Sequence, residues 1–259
     1  RLRVAGKTVI ALKVGRSDKG AAATAAHTGS LSGSQEVYQA FFTDCGVTAV
    51  DDLDEMIETI VLMSMRSMPG EGRGIAVMNV SGGENALTCD IGQDVGIDFA
   101  ELSPATIDRL MQVLPSFGYA ANPLDATGAA VFDMQLYRAC LEALANDPNV
   151  ALVAVSQDCP LTLSDDGAAN YGAMTESIAD FAGVSAKPIV FYTNFSGGHH
   201  PTVAAPLHAA GIPVLQGARP SLKAIRRLLE SQAFQPRNGT LTNAIRRDDT
   251  WHRRLSEGV

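Results

Sequence analysis

After residue 74 short apolar runs alternate with longer segments of helical spacing, and this alternation limits the possible folds more than any other feature. The runs 75–80, 151–156 and 189–193 are apolar almost throughout. Strands buried on both faces of a parallel sheet read this way. Between them, Ala86, Leu87, Ile91 and Val95 recur at helical intervals. So do Ile107, Leu110, Met111 and Leu114; then Leu136, Tyr137, Cys140, Leu141 and Leu144; then Tyr171, Met174, Ile178 and Phe181. Ser103-Pro104 reads as an N-cap with proline at the first helical position, and Asp133 caps the next helix. Val203, Leu207 and Ala210 mark a short helix, 212–215 an edge strand containing Pro213, and Leu222, Ile225, Leu228 and Leu229 the last helix. The pattern predicts an α/β architecture with a doubly wound parallel sheet.

The stretch before residue 69 is shorter on elements. The run 8–14 predicts a buried parallel strand, and 47–50 a second short one. Over 34–45, Val37, Tyr38, Phe41, Phe42 and Cys45 keep helical spacing, and Gly46 supplies the stop. Asp52-x-x-Glu55 resembles a capping box opening a helix with Leu53, Met56, Ile57, Ile60 and Val61 on its apolar face. P-G-E-G-R-G (69–74) is polar and turn-rich and marks a domain boundary. Two strands and two helices are few for an independent domain, so the first of two domains is expected to be incomplete. The division expected is 1–70, 71–234 and a tail, 235–259, that loses periodicity and reads as a solvated linker.

Composition excludes several classes. Of 259 residues 46% are hydrophobic and 19% charged, which favours a folded core over disorder. A net charge of −8 argues against a nucleic-acid partner. No apolar run is long enough for a membrane span, and no signal peptide heads the chain, which begins at Arg1 and is expected to be a fragment or processed product. Cys45, Cys89, Cys140 and Cys159 are scattered without a C-x-x-C pair, so neither a metal site nor a disulfide framework is indicated. The first three fall in helical patterns and read as reduced core residues, in keeping with a cytoplasmic setting.

One stretch carries chemistry. In A-H-T-G-S-L-S-G (26–33) a lone histidine sits among small residues, in a loop between a strand-like run and a helix-like run. Uncovered backbone N–H groups and the positive end of a helix can hold a phosphate. Neutral imidazole, with a free ring nitrogen near pH 7, can carry one. N-V-S-G-G (79–83) is a second strand-to-helix turn, and N-F-S-G-G (194–198) echoes it, followed by His199 and His200, which are weak as a metal pair. Phe191, Tyr192 and Phe195 stand near that strand end, where an acyl pocket and a plain core are both open readings.

Gly15-Arg16-Ser17, A-H-T-G-S-L-S-G, Gly46-Val47 and V-D-D-L (50–53), followed by N-V-S-G-G and N-P-L-D-A-T-G (122–128), resemble in type and order the NDP-forming acyl-CoA synthetases, relatives of succinyl-CoA synthetase. The resemblance covers most of residues 7–230. It implies a flavodoxin-like fold for both domains and an acid–thiol ligase that makes acyl-CoA from a carboxylic acid, CoA and ATP through an acyl phosphate and a phosphohistidine at His27. It implies phosphate binding by Thr28, Gly29 and Ser30 and, across a domain interface, by Ser81, Gly82 and Gly83. Asn122 and Asp125 match the family's N-x-x-D turn, with support of the site and plain turn stabilisation both open. The CoA-binding and ATP-grasp domains have no counterpart here. They are expected in cis or on a partner subunit, with CoA, ATP/ADP and Mg2+ bound there, no tightly held cofactor or metal in this segment, and an oligomeric assembly. The competing class is a non-catalytic, ligand-sensing module of the kind attached to some protein acyltransferases.

Overall fold

The structure, a computed structural model, describes residues 2, 5–28, 34–65 and 74–234. The chain divides into two compact units, residues 1–49 with 231–259, and Val50–Glu230. In the first, β1 (Ile10–Leu12) and β2 (Thr48–Val50) form a two-stranded sheet, with α1 (Asp18–Thr28) and α2 (Gln35–Cys45) between them in sequence. β1 is shorter than the run 8–14 predicts and only half-buried. α2 follows its pattern. The Ser34 hydroxyl accepts from the Val37 N–H at 3.3 Å, and Gly46 ends the helix at φ 65°. A side chain at position 46 would stand 2.5 Å from the Phe234 ring, so both the backbone angle and the packing require glycine. α1 has no forerunner in the sequence reading. Its D-K-G-A-A-A-T-A-A-H-T is held by alanine's helix propensity, and small side chains leave no apolar stripe to detect.

The second unit is built on a five-stranded parallel sheet. Its strands are β3 (Gly74–Asn79), β4 (Leu124–Asp125), β5 (Val150–Ser156), β6 (Ile189–Thr193) and β7 (Val214–Gln216), in the spatial order β4-β3-β5-β6-β7. Counted from β3, that is the flavodoxin order 2-1-3-4-5, whose switch point lies between β3 and β5. The helices are α3 (Leu53–Met63), α4 (Gly82–Val95), α5 (Pro104–Val113), α6 (Met134–Ala145), α7 (Asp165–Ala182), α8 (Pro201–Ala209) and α9 (Ala218–Ala233), with a 3-10 turn at Gly128–Val131. β7 is an edge strand, as Pro213 predicts.

Alternation through the sheet divides the core. Ala76, Met78, Val153, Val155, Phe191 and Val214 pack with α5, α6, α7 and α8. Ile75, Val77, Leu152, Ala154, Val190 and Leu215 pack with α3, α4 and α9. Both faces are covered, which is why the strand sequences are continuously apolar. The caps at Ser103 and Asp133 form as expected. Leu87, Ile107 and Met111 are exposed, and so is Cys89, which is therefore not a core residue. Cys140 and Cys159 are buried, and burial pushes both thiols up to about 11.

α3 departs most from its pattern. It belongs to the second unit, ahead of the turn-rich segment 69–74. Its apolar residues Leu53, Ile57, Ile60 and Val61 are exposed, and Glu55, Glu58, Thr59 and Leu62 face inward. Charge pairing sets this choice. Glu55 Oε1 accepts from Arg227 Nε at 2.9 Å, and Oε2 accepts from Lys223 Nζ at 3.1 Å and from the Asp51 N–H at 2.9 Å. Glu58 accepts from the Gln216 N–H at 3.1 Å, and burial holds its carboxyl above the ordinary range. Asp52 caps the Glu55 N–H at 2.8 Å, while the reciprocal bond goes to Asp51 rather than to the cap residue itself. Glu55→Ala removes the buried acceptor from two cations, and a loss of about 3 kcal/mol is expected in urea unfolding. Lys223→Ala should cost less, because Arg227 still pairs.

Candidate functional site

Position 27 does not lie in a loop. The backbone of His27 and Thr28 forms the last turn of α1, and Gly29 and Ser30 lie outside the described residues. The helix expected beyond them is α2, and Ser34, its cap, already spends its hydroxyl on the Val37 N–H. The strand-to-helix placement of Ser81-Gly82-Gly83 is as the sequence predicts. Ser81 is the N-cap of α4, and its hydroxyl makes no capping bond. All three residues are exposed. A Cβ at Gly82 would come no closer than 3.4 Å to Asp125 Oδ2, and one at Gly83 no closer than 3.7 Å to Ser81 Oγ. Packing does not demand these glycines. Their effect is to leave the first N–H groups of α4 uncovered, where an anion is favoured by roughly 0.3–1 kcal/mol when exposed.

Carboxylates temper that end. Glu84, in the first turn of α4, is lifted above the ordinary range by burial, with the charges of Asp158 and Asp125 adding to it and the Val80 N–H opposing. Its Oε2 is buried without a partner. Asp125 Oδ1 accepts from the Thr127 N–H at 2.8 Å and closes the turn after β4.

Asn122 is structural. Its Oδ1 accepts from the Val77 N–H at 3.0 Å, and its Nδ2 donates to the carbonyls of Ile75 at 2.8 Å and Ala100 at 2.9 Å. The side chain stands in for a missing strand residue beside β3.

The residues the sequence reading passed over lie at the switch point. Asn79 Nδ2 donates to Asn85 Oδ1 at 2.8 Å and to Thr88 Oγ1 at 3.3 Å, and Thr88 Oγ1 lies 3.2 Å from the Tyr192 hydroxyl. Burial pushes that phenol up to about 12. Asn85 Nδ2 reaches the Pro123 carbonyl at 3.0 Å, tying α4 to the turn before β4. Across the switch point Asn194 donates from Nδ2 to Ser156 Oγ at 3.0 Å, and its N–H bonds Asp158 Oδ1 at 2.7 Å. The detectable signal was the asparagine opening each copy of N-x-S-G-G.

The second copy has a different fate. The N–H groups of Gly197 and Gly198 donate to Gln216 Oε1 at 3.2 and 2.8 Å, so a side chain of the protein occupies them. α8 starts only at Pro201. The Nδ1 atoms of His199 and His200 are buried without partners, and burial, then His208, lowers the His199 imidazole. Among the described residues no group of three or more His, Cys, Asp and Glu is placed to hold a metal. Phe191 and Tyr192 are fully buried core residues, and Phe195 is exposed.

Beside the start of α4 a cleft of about 450 Å3 opens between Val80, Ser81, Gly82 and Asn85 on one side and Phe117, Tyr119, Pro123, Asp125 and Thr127 on the other.

Residues 1–63 match the family described as succinyl-CoA ligase like flavodoxin domain. The chain is 37% identical over 147 residues to the alpha subunit of an ADP-forming acetate–CoA ligase II from Pyrococcus furiosus, a match covering 57% of this chain and 31% of that one. It is 29% identical over 234 residues to a trans-feruloyl-CoA synthase from an unknown prokaryotic organism, covering 89% of this chain and 32% of the relative. A dinucleotide-forming acetyl-coenzyme A synthetase 1 from Ca. Korarchaeum cryptofilum, solved with phosphate and ADP, superposes with a TM-score of 0.67 at 26% identity, covering 87% of this chain and 47% of that one. The chain thus spans about a third of the length of these two curated relatives, and about half of the solved chain.

Two predictions follow from the geometry. Asn122→Ala strands the Val77 N–H and the Ala100 carbonyl, while the Ile75 carbonyl keeps the Ala100 N–H, and should destabilise by about 3 kcal/mol, judged at 1–3 kcal/mol per buried group left unpaired. Glu84 has a raised folded-state pKa, so it adds stability below the ordinary glutamate range and costs stability once pH exceeds its folded value. Glu84→Gln should therefore raise the thermal midpoint near pH 8, with the difference shrinking toward about pH 4.

Proposed function

We propose, from the premise that this chain is a relative of the ADP-forming acyl-CoA synthetases, that it is the phosphoryl-carrying segment of an acid–thiol ligase of that class. The observation that carries the reading is the uncovered amino terminus of α4 at Ser81-Gly82-Gly83, set at the carboxyl edge of a flavodoxin-ordered sheet in a chain that also holds A-H-T-G-S.

In this reading His27 is the catalytic residue. A neutral ring nitrogen attacks phosphorus, the P–O bond to the leaving carboxylate or nucleoside diphosphate breaks, and the phosphoryl group rides on the imidazole. Phosphoryl transfer asks mainly for positioning and charge stabilisation. Thr28, Gly29 and Ser30 supply one cradle, and Ser81, Gly82 and Gly83 the other. Asp125 shapes the second by fixing the turn beside Gly82. CoA, ATP/ADP and Mg2+ belong to CoA-binding and ATP-grasp domains, in cis or on a partner subunit, as an alpha subunit among the relatives supports. On this view 1–70 and 71–234 are the functional modules and 235–259 leads to the ATP-grasp domain. The phosphate and ADP in a solved relative support the phosphoryl chemistry, and the acetate and feruloyl relatives bracket the size of acid to be tried. Among the described residues no helix is long and apolar enough to cross a membrane. The setting this reading proposes is a cytoplasmic, oligomeric enzyme, and the four free thiols suit a reducing compartment.

The test is labelling of the intact ligase with γ-labelled ATP and Mg2+. An acid-labile, base-stable label that disappears in His27→Ala is the expected result. A folded, complete protein that takes no label from ATP, nor from acyl-CoA with labelled phosphate, would overturn the reading in favour of a ligand-sensing module.

A further inference from the structure

The ends of β3, β5 and β6 hold a buried polar cluster that phosphoryl transfer does not use. Asn79 follows Met78, which pairs with Val155, and Ser156 pairs with Tyr192. The side chains of Asn79, Ser156 and Tyr192 therefore stand in a row on the α4 face of the sheet. Asn79 is fully buried. Its Nδ2 is committed to Asn85 Oδ1, and Asn85 Nδ2 to the Pro123 carbonyl, so both amides are fixed in orientation. The Asn79 Oδ1 that remains meets no donor. Asn194 is fixed in the same way. Its Nδ2 donates to Ser156 Oγ and lies 3.4 Å from Asp158 Oδ2, and its Oδ1 is buried without a donor. Glu84 Oε2 is a third such oxygen. The Tyr192 hydroxyl, bonded to Thr88 and Ser156, links the two amides and feels the charges of both Glu84 and Asp158. None of the ion pairs among the described residues includes Glu84, Asp125 or Asp158. Buried acceptors without donors and half-buried carboxylates without a counter-charge are both costly. A cation answers both.

We propose that this cluster binds a monovalent alkali cation of potassium size through Asn79 Oδ1, Asn194 Oδ1, Glu84 Oε2 and Asp158 Oδ2. The donor set selects the ion. All four donors are hard oxygens, which do not suit a metal that prefers sulfur or imidazole. Among the described residues no group of three or more His, Cys, Asp and Glu is placed to hold a metal, so a divalent ion would be short of charged ligands. Carbonyl oxygens replace the hydration shell of K+ without that demand. A water molecule could donate to two of the oxygens but brings no charge to the carboxylates. Burial lifts the Glu84 carboxyl above its ordinary range, as expected of an acid without a cationic neighbour. The ion lies behind the first turn of α4, where it offsets the carboxylates that oppose an anion at Ser81-Gly82-Gly83. That consequence rests on the ligase reading, and the site itself does not.

The probe is Tl+, a surrogate for K+, followed by thallium NMR in nitrate buffer on the intact protein, with K+ and choline as competitors. Tl+ is expected to bind, and to be displaced by K+ but not by choline. Glu84→Gln keeps the size of the side chain and removes its charge, and should weaken Tl+ binding about tenfold. Asp94→Asn, in the exposed last turn of the same helix, should leave binding unchanged. Thermal unfolding gives a second reading. K+ should raise the midpoint over choline at equal ionic strength. The gain expected of Glu84→Gln near pH 8 belongs to choline buffer and should shrink in K+, because the ion relieves the same carboxylate. Equal midpoints in K+ and choline, with no displaceable Tl+, would mean an ordered water only and would overturn the proposal. Tl+ binding indifferent to Glu84→Gln, or a response to Mg2+ alone, would overturn it as well. Binding is read without turnover, so a protein that takes no phosphoryl label on His27 leaves this test standing.

Discussion

A parallel sheet has to be covered on both faces, and that requirement organises the second unit. Each strand sends alternate residues into two separate cores, one with α5 to α8 and one with α3, α4 and α9. Crossovers then return every strand in the same direction, so all the carboxyl ends, with their asparagines and glycine turns, gather on one edge. Burying a leucine fully contributes about 1.5–3 kcal/mol. Leu62, Leu110, Leu124, Leu141, Leu144 and Leu152 do so without touching the site, leaving the loops at that edge free to carry polar groups.

The two turns built on N-x-S-G-G show how little separates a bare amide cluster from a filled one. After β3 the glycines open a helix at once, and the Ser81 side chain makes no capping bond to it. After β6 the whole of 194–200 precedes α8, and Gln216 supplies the acceptor. Gln216 is itself held at its main chain by Glu58 of α3, so the second turn is tied to a helix distant in sequence.

Much of the second unit was legible, because apolar runs and capping residues act locally. The strands 75–80, 151–156 and 189–193, the caps at Ser103 and Asp133, and the Ser81 turn could be read without knowing any partner. α1 was hidden because alanines carry helix propensity without periodicity, and His27 was set in a loop for that reason. α3 was read with its wrong face inward because the cations that capture Glu55 lie 168 and 172 positions away. Asn122 pairs with backbone groups, which carry no side-chain signal, so its clamp on β3 could not be told from a simple turn. The polar chain from Asn79 to Tyr192 joins residues 113 positions apart along two strands, and its members look ordinary one by one.

The clamp at Asn122 has a bearing on how the sheet ends. β4 covers only two residues of β3, Met78 and Asn79. The rest of that flank is met by the segment around Asp98 to Ala100, which exchanges bonds with Ile75, and by the Asn122 amide at Val77. A strand from another molecule arriving there would find the ladder already answered, by a side chain it cannot imitate and a strand too short to extend. Exposed ladders are where folded chains add to one another and begin to aggregate. Here an asparagine, rather than a charge or a proline, closes the template.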